Sequence, residues 1–190
     1  MGRPKALLPY GESTFIRTIT DTMRLVLPHV IIIADDPALA GDTGLPVFAD
    51  IHKHLGPLGG LHAALTHANG DMVFLAPVDT PLLTSDDCAQ LLAAAPADVI
   101  TVAGDGTRLH PLPGLYPRSV LPSLEKALLD GVRTFRHFIE GCPCGYHIHV
   151  MNTAAPRLAN VNTPEDYASL PGLRGDINRD GDGVHPDDCS

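Results

Sequence analysis

Asp79 stands three residues past the apolar run at 72–76 and is followed by Thr80-Pro81-Leu82. A carboxylate just beyond the end of a buried strand faces the edge where open α/β sheets bind ligands. It suits Mg²⁺, which takes one or two carboxylates together with substrate phosphates. Its plain structural use is to cap the turn before Pro81. Lys5, in Arg3-Pro4-Lys5-Ala6, is a flexible cation able to reach phosphate, and equally a solvated charge at the start of a chain. Asp50 precedes Gly56-Pro57-Leu58-Gly59-Gly60, a tight turn opening a helix. Bare N–H groups at a helix start suit an anion or a base edge, and the glycines admit close approach. Simple helix–sheet packing accounts for them about as well. Arg108 and His110 belong to the loop Arg108-Leu109-His110-Pro111-Leu112. Asn162 belongs to Asn160-Val161-Asn162-Thr163-Pro164-Glu165-Asp166, which in any case reads as a helix cap with Pro at the first helical position.

These residues need a scaffold. Continuous apolar runs at 30–34, 72–76 and 99–102 read as strands buried on both faces. Helical spacing appears at 14–26, 58–68 and after Ser85, taken as the cap of a helix whose first turn holds Asp86 and Asp87. The alternation predicts an α/β fold, a doubly wound, mostly parallel sheet flanked by helices. Further on, 114–116 reads as a short strand, 120–129 and 133–139 as helices, and 146–150 as a strand.

Composition narrows the class. The chain has 190 residues, 44% hydrophobic and 18% charged, with a net charge of −9. That fits one globular domain and opposes nucleic-acid binding, which needs a basic surface. No apolar run approaches the ~18 residues that span a bilayer, and the N-terminus has no signal-peptide core. The expectation is a soluble cytoplasmic domain over residues 1–170, with an acidic Gly/Asp-rich appendage at 171–190.

In combination the motifs resemble one family closely, the molybdenum cofactor guanylyltransferases (MobA-like) of the nucleotidyltransferase superfamily. Met1-Gly2-Arg3-Pro4-Lys5 resembles the end of that family's Gly-rich stretch. Asp50 through Gly60, Asp79 through Leu82, His110 through Tyr116 and Asn160 through Asp166 resemble its later elements. The resemblance covers residues 1 to about 170. It implies a nucleotide-diphospho-sugar transferase-like fold and transfer of GMP from GTP to molybdopterin with release of pyrophosphate. It gives Lys5 and Asp79 catalytic roles, with Asp79 as the Mg²⁺ ligand. Asp50, Gly56, Pro57 and Leu58 would join Lys5 and Asp79 in binding nucleotide. Arg108, His110 and Asn162 would lie toward the pterin. Molybdoenzymes or molybdenum-insertion proteins would be partners. One departure is large: the Gly-rich phosphate loop that precedes Met-Gly in the family is missing, and so is the first strand that carries it. A chain start placed at an internal Met explains this better than a degenerate paralogue.

Two segments stand apart. Cys142, Cys144, His147 and His149 fall within eight residues, but Cys-x-Cys with His-x-His is not the usual zinc spacing, and ordinary surface residues are the favoured reading. The tail places Asp176, Asn178, Asp180, Asp182 and Asp187 in a pattern resembling an EF-hand-like Ca²⁺ loop, though with Asp where the usual Glu would stand. A solvated acidic tail and a weak Ca²⁺ site both remain open. For the whole chain the competing activities are a molybdopterin cytidylyltransferase and a sugar-phosphate nucleotidylyltransferase. The competitor of another class is a catalytically dead binding module that lacks the phosphate loop.

Overall fold

The alternation of apolar runs and amphipathic segments becomes alternating strands and helices in the computed structural model, which describes residues 4–51, 55–104, 109–151 and 155–173. A 3-10 turn at Lys5–Leu7 leads into a small antiparallel hairpin, β1 (Pro9–Tyr10) and β2 (Ser13–Thr14). Then come α1 (Phe15–Arg24), β3 (Ile32–Ile33), a 3-10 turn at Pro37–Ala40 and β4 (Val47–Phe48). The middle of the chain forms α2 (Pro57–His67), β5 (Met72–Leu75), α3 (Ser85–Ala94), β6 (Ile100–Gly104) and β7 (Leu109–Pro117). It closes with α4 (Leu121–Leu129), α5 (Phe135–Gly141), β8 (Tyr146–Val150) and α6 (Pro164–Ala168).

The main sheet has the order β5-β7-β6-β8. β6 and β8 are parallel, while β7 runs antiparallel to both its neighbours, so this α/β sheet is mixed. β3 and β4 form a separate parallel pair. Alternation along β5 shows the layering. Val73 packs with Leu58, Leu61 and Leu65 of α2, Leu124 of α4 and Phe138 of α5. Phe74 packs on the opposite side with Ile19 and Met23 of α1 and with Cys88 and Leu91 of α3. Helices therefore cover both faces, as continuous rather than alternating apolar runs require.

Two expectations change in detail. The strand read at 114–116 extends over Leu109–Pro117. The helix assigned a Ser85 cap is instead capped by Thr84, whose backbone is extended and whose hydroxyl accepts the Asp87 N–H at 3.2 Å. Asp87 Oδ2 returns the bond, accepting the Thr84 N–H at 3.1 Å. This reciprocal box needs an acid three residues past the cap, a condition that Thr84 meets with Asp87. At the other end of the chain, the Thr163 cap with Pro164 at the first helical position forms as expected, with Asp166 closing the box. Among the described residues no helix is long and apolar enough to cross a membrane.

Candidate functional site

Three segments far apart in sequence meet at one cation. Lys5 Nζ donates to Asn162 Oδ1 at 2.6 Å and to Asp79 Oδ2 at 3.2 Å. Each segment is fixed by its backbone. The turn carrying Lys5 is closed by Leu7 N–H to Pro4 C=O and Leu8 N–H to Lys5 C=O. The turn after β5 is closed by the buried Thr80 hydroxyl, which donates to Pro77 C=O at 3.0 Å. The loop before α6 is tied to that turn by Val161 N–H donating to Asp79 C=O at 2.8 Å. Beneath them Leu8, Phe15, Val161 and Leu170 form a small apolar cluster, flanked by Tyr10 and Tyr167. The Tyr167 hydroxyl donates to Pro9 C=O at 2.6 Å.

One residue of this group was visible in the sequence only as a helix-start acid. Asp166 Oδ2 accepts the N–H groups of both Asn162 and Thr163 at 2.9 Å. The Asn162 N–H, then the Thr163 N–H, with a smaller contribution from the Lys5 charge, hold its carboxyl below the usual 3.8. Asp166 thus orients the backbone from which Asn162 reaches Lys5. The acid at the third helical position was the signal; its reach back to residue 162 required the loop geometry.

The second part of the site lies at the start of α2. Gly56 has φ of +66°, a conformation that side-chain-bearing residues rarely adopt, and it caps the helix without a side-chain bond. Pro57 has no N–H and the Gly59 N–H donates to Gly56 C=O at 3.0 Å, so Leu58 N–H is the first-turn donor of α2 with no carbonyl partner within the helix. The half-buried Asp50 sits over this turn: a Cβ built on Gly60 would stand 3.9 Å from its Oδ1. Burial first, and then the nearby Asp35 charge, raise the Asp50 pKa above 3.8. Leu58 is fully buried in the core, so its side chain anchors the helix and its backbone N–H is the part at the helix end.

A cleft of about 540 Å³ opens between β3 and β5. Asp50, Gly56, Pro57, Leu112 and Val78, the neighbour of Asp79, all contribute to its lining. His110 is half-buried on β7, opposite Ala103 and two residues before Leu112. Arg108 and the tail residues Asp176, Asn178, Asp180, Asp182 and Asp187 lie outside the described residues. The structure therefore joins Lys5, Asp79 and Asn162 directly, and places Asp50, Gly56 and Pro57 together on the adjoining cleft.

Among the described residues no group of three or more His, Cys, Asp or Glu side chains is placed to hold a metal ion. Cys142 and Cys144, with Sγ atoms 3.1 Å apart, and the two His of β8 do not gather into one. Asp79 as a single carboxylate fits a different kind of site, in which Mg²⁺ is shared with substrate phosphates and water. A cation, a carboxylate and an amide in contact can neutralise and orient a polyphosphate.

Comparison with known proteins agrees with this chemistry. The family model described as MobA-like NTP transferase domain matches residues 1–144. A molybdenum cofactor guanylyltransferase from Vibrio cholerae is 31% identical over 175 residues, covering 90% of this chain and 85% of that protein. One of the same name from Vibrio campbellii is 32% identical over 172 residues, covering 89% and 87%. Among solved structures, molybdopterin-guanine dinucleotide biosynthesis protein A from Archaeoglobus fulgidus superposes with a TM-score of 0.69 at 21% identity, covering 87% of each chain. That likeness concerns the fold.

Proposed function

This chain belongs to the MobA-like NTP transferase domain family, whose members are nucleotidyltransferases, and from that premise we propose that it transfers GMP from GTP to molybdopterin, with pyrophosphate as the leaving group. A terminal phosphate oxygen of the pterin attacks the α-phosphorus of GTP. The bond from that phosphorus to the oxygen bridging to the β-phosphate breaks, and the electron pair leaves with pyrophosphate.

The observation that carries this reading is the Lys5–Asp79–Asn162 contact. Two polyanions must be brought in line, so the protein's task is positioning and charge neutralisation. Lys5 is already held by two oxygen acceptors rather than free to sweep through solvent. A triphosphate arriving there replaces Asp79 as its counter-charge, and Asn162 keeps the ammonium aimed. Asp79 would hold Mg²⁺, which would supply charge neutralisation at the phosphates when bound. Asp50 and the first turn of α2 bind the nucleoside end, where a carboxylate can accept N–H groups of a guanine edge. Arg108 and His110 serve the pterin phosphate side.

The test is a transfer assay that follows pyrophosphate release with molybdopterin as acceptor. GTP should be used, with CTP and ATP poor substitutes, and Asp79→Ala should abolish Mg²⁺-dependent transfer. Near wild-type rates in Asp79→Ala would remove Asp79 from the mechanism, and preference for CTP would favour cytidylyl transfer instead.

A further inference from the structure

Cys142, Pro143, Cys144 and Gly145 make the connection between α5 and β8. Two cysteines one residue apart do not ordinarily meet: in a strand their backbones stand about 7 Å apart, and in a helix their side chains diverge. Here a β-turn folds them together. Gly145 N–H donates to Cys142 C=O at 3.0 Å and closes the turn. Pro143 takes the second position, where its fixed φ is favoured. Gly145 leaves the turn with φ of +71°, which glycine adopts freely. The two Sγ atoms come to 3.1 Å, a thiol–thiol contact. A further approach of about 1 Å would reach the length of a disulfide bond.

The fold holds this turn at both ends. On one side Phe135, Phe138 and Ile139 seat α5 in the core. On the other, Tyr146 and His147 pair with Ile100 and Thr101 of β6. The two thiols differ in their surroundings. Cys142 is 8% exposed and belongs to the same core cluster as Phe138. Burial first, and then the hydrogen bond with Cys144, raise its pKa, so it is held as the thiol. Cys144 is only half-buried, and its Sγ donates to Gly145 C=O at 3.2 Å on the exposed side of the turn. A reagent arriving from solvent therefore meets Cys144, with Cys142 directly behind it.

We propose that Cys142 and Cys144 form a reversible dithiol–disulfide site, oxidised by exchange with a low-molecular-weight disulfide. Cys144 gives its proton to solvent, and its sulfur attacks one sulfur of the oxidant. The oxidant's S–S bond breaks, and one small thiol leaves with the electron pair and takes up a proton. Cys142 then gives its proton to solvent and attacks Cys144 Sγ. The mixed S–S bond breaks, and the second small thiol leaves in the same way. Two protein thiols have become one disulfide, and the oxidant has been reduced to two thiols. A bond with one sulfur at the surface stays open to attack by thiols, which suits a switch rather than a permanent cross-link.

Closing the ring pins the turn from which β8 enters the main sheet, where among the described residues it is an edge strand. The native fold keeps each thiol at a high effective concentration beside the other. A disulfide that the fold favours must in turn favour the fold. The site shares no residue with the Lys5–Asp79–Asn162 contact and does not rest on the transfer reaction.

The experiment equilibrates the full chain in mixtures of reduced and oxidised glutathione, quenches with iodoacetamide and maps tryptic peptides by mass. Cleavage after Arg136 and Arg157 leaves both cysteines on one peptide, 137–157. That peptide should lose two hydrogens and carry no glutathione. Cys142→Ser should retain one glutathione on Cys144, and Cys144→Ser should react at least ~10-fold more slowly. Ring closure against glutathione should have an equilibrium constant at least ~10-fold larger in the native chain than in urea, and the oxidised protein should have the higher Tm. Glutathione accumulating on peptide 137–157 of the unsubstituted chain would overturn the proposal. So would a bond from either cysteine to Cys88, Cys189 or a second chain, faster reaction of Cys144→Ser than of Cys142→Ser, or equal constants in native and unfolded protein.

Discussion

If Lys5 is held as the structure shows, the Lys5→Met and Asn162→Ala substitutions must be coupled. The Lys5 side chain is 35% exposed and that of Asp79 17%, so their ion pair lies between the surface and buried regimes. A pair so placed contributes about 1 kcal/mol. The 2.6 Å bond to Asn162 involves a charged donor but faces solvent, and about 1 kcal/mol is again appropriate. Lys5→Met keeps the aliphatic stem and removes both contacts, costing about 2 kcal/mol. Asn162→Ala removes one, costing about 1 kcal/mol. The double variant should also cost about 2 kcal/mol, because the second contact is already gone, which leaves a coupling of about 1 kcal/mol. At this chain length each kcal/mol moves the Tm by ~2–4 °C, so the four proteins are resolvable by thermal or urea unfolding. The same cycle read by transfer kinetics should show Asn162→Ala costing roughly 5-fold with Lys5 present and almost nothing in the Lys5→Met background. Single-variant losses that simply add to within ~0.5 kcal/mol would mean that the Lys5–Asn162 contact does not form in solution.

Asp166 gives a pH signature. Its carboxyl titrates below 3.8, so its hold on the Asn162 and Thr163 amides is complete above the ordinary carboxylate range and is lost as pH falls through the depressed value. Exchange at those two amides should quicken only in that acid window, and Asp166→Asn should lower transfer without unfolding the chain. The buried Cys88 thiol is pushed up to about 12, chiefly by burial and then by the Asp87 charge. It should therefore resist iodoacetamide at pH 8 in the native protein and react on unfolding; rapid native labelling would show that α3 opens. Asp87 is fully buried, closes the α3 capping box and meets Arg157 at 3.3 Å. Asp87→Ala should cost about 2 kcal/mol, against about 1 for Thr84→Ala, as read from the shift in Tm.

What could be read from the sequence, and what could not, has physical causes. The Thr163-Pro164 cap was legible because capping is local: the residues that make it lie within four positions of one another. Asp79 was legible because a buried strand ending before a turn leaves little choice of edge. The length of β7 was not. Pro111, Pro113 and Pro117 argue against a central strand, since Pro donates no ladder bond. The structure accommodates them by letting β7 pair with both neighbours only near 114–115, while a register shift between Val102 and Ala103 takes up the proline segment. Gly114 is needed there, because a Cβ would come within 2.6 Å of Pro111 C=O. Conversely, the apolar run at 30–34 promised a longer strand than Ile32–Ile33, and the shortfall occurs beside the cleft, where among the described residues β3 has no second partner. The meeting of Lys5 with Asn162, 157 positions away, has no local signal at all. The motif resemblance assigned Lys5 to the nucleotide phosphates and Asn162 to the pterin side, and did not anticipate their contact.

The most direct measurement is calorimetry of Mg²⁺-dependent GTP binding, made on this chain and on its Asp79→Ala variant. The expected result is binding of GTP in preference to CTP and ATP, and loss of the Mg²⁺ dependence in Asp79→Ala. Absence of nucleotide binding in every form would contradict the transfer mechanism and leave the chain as a binding module.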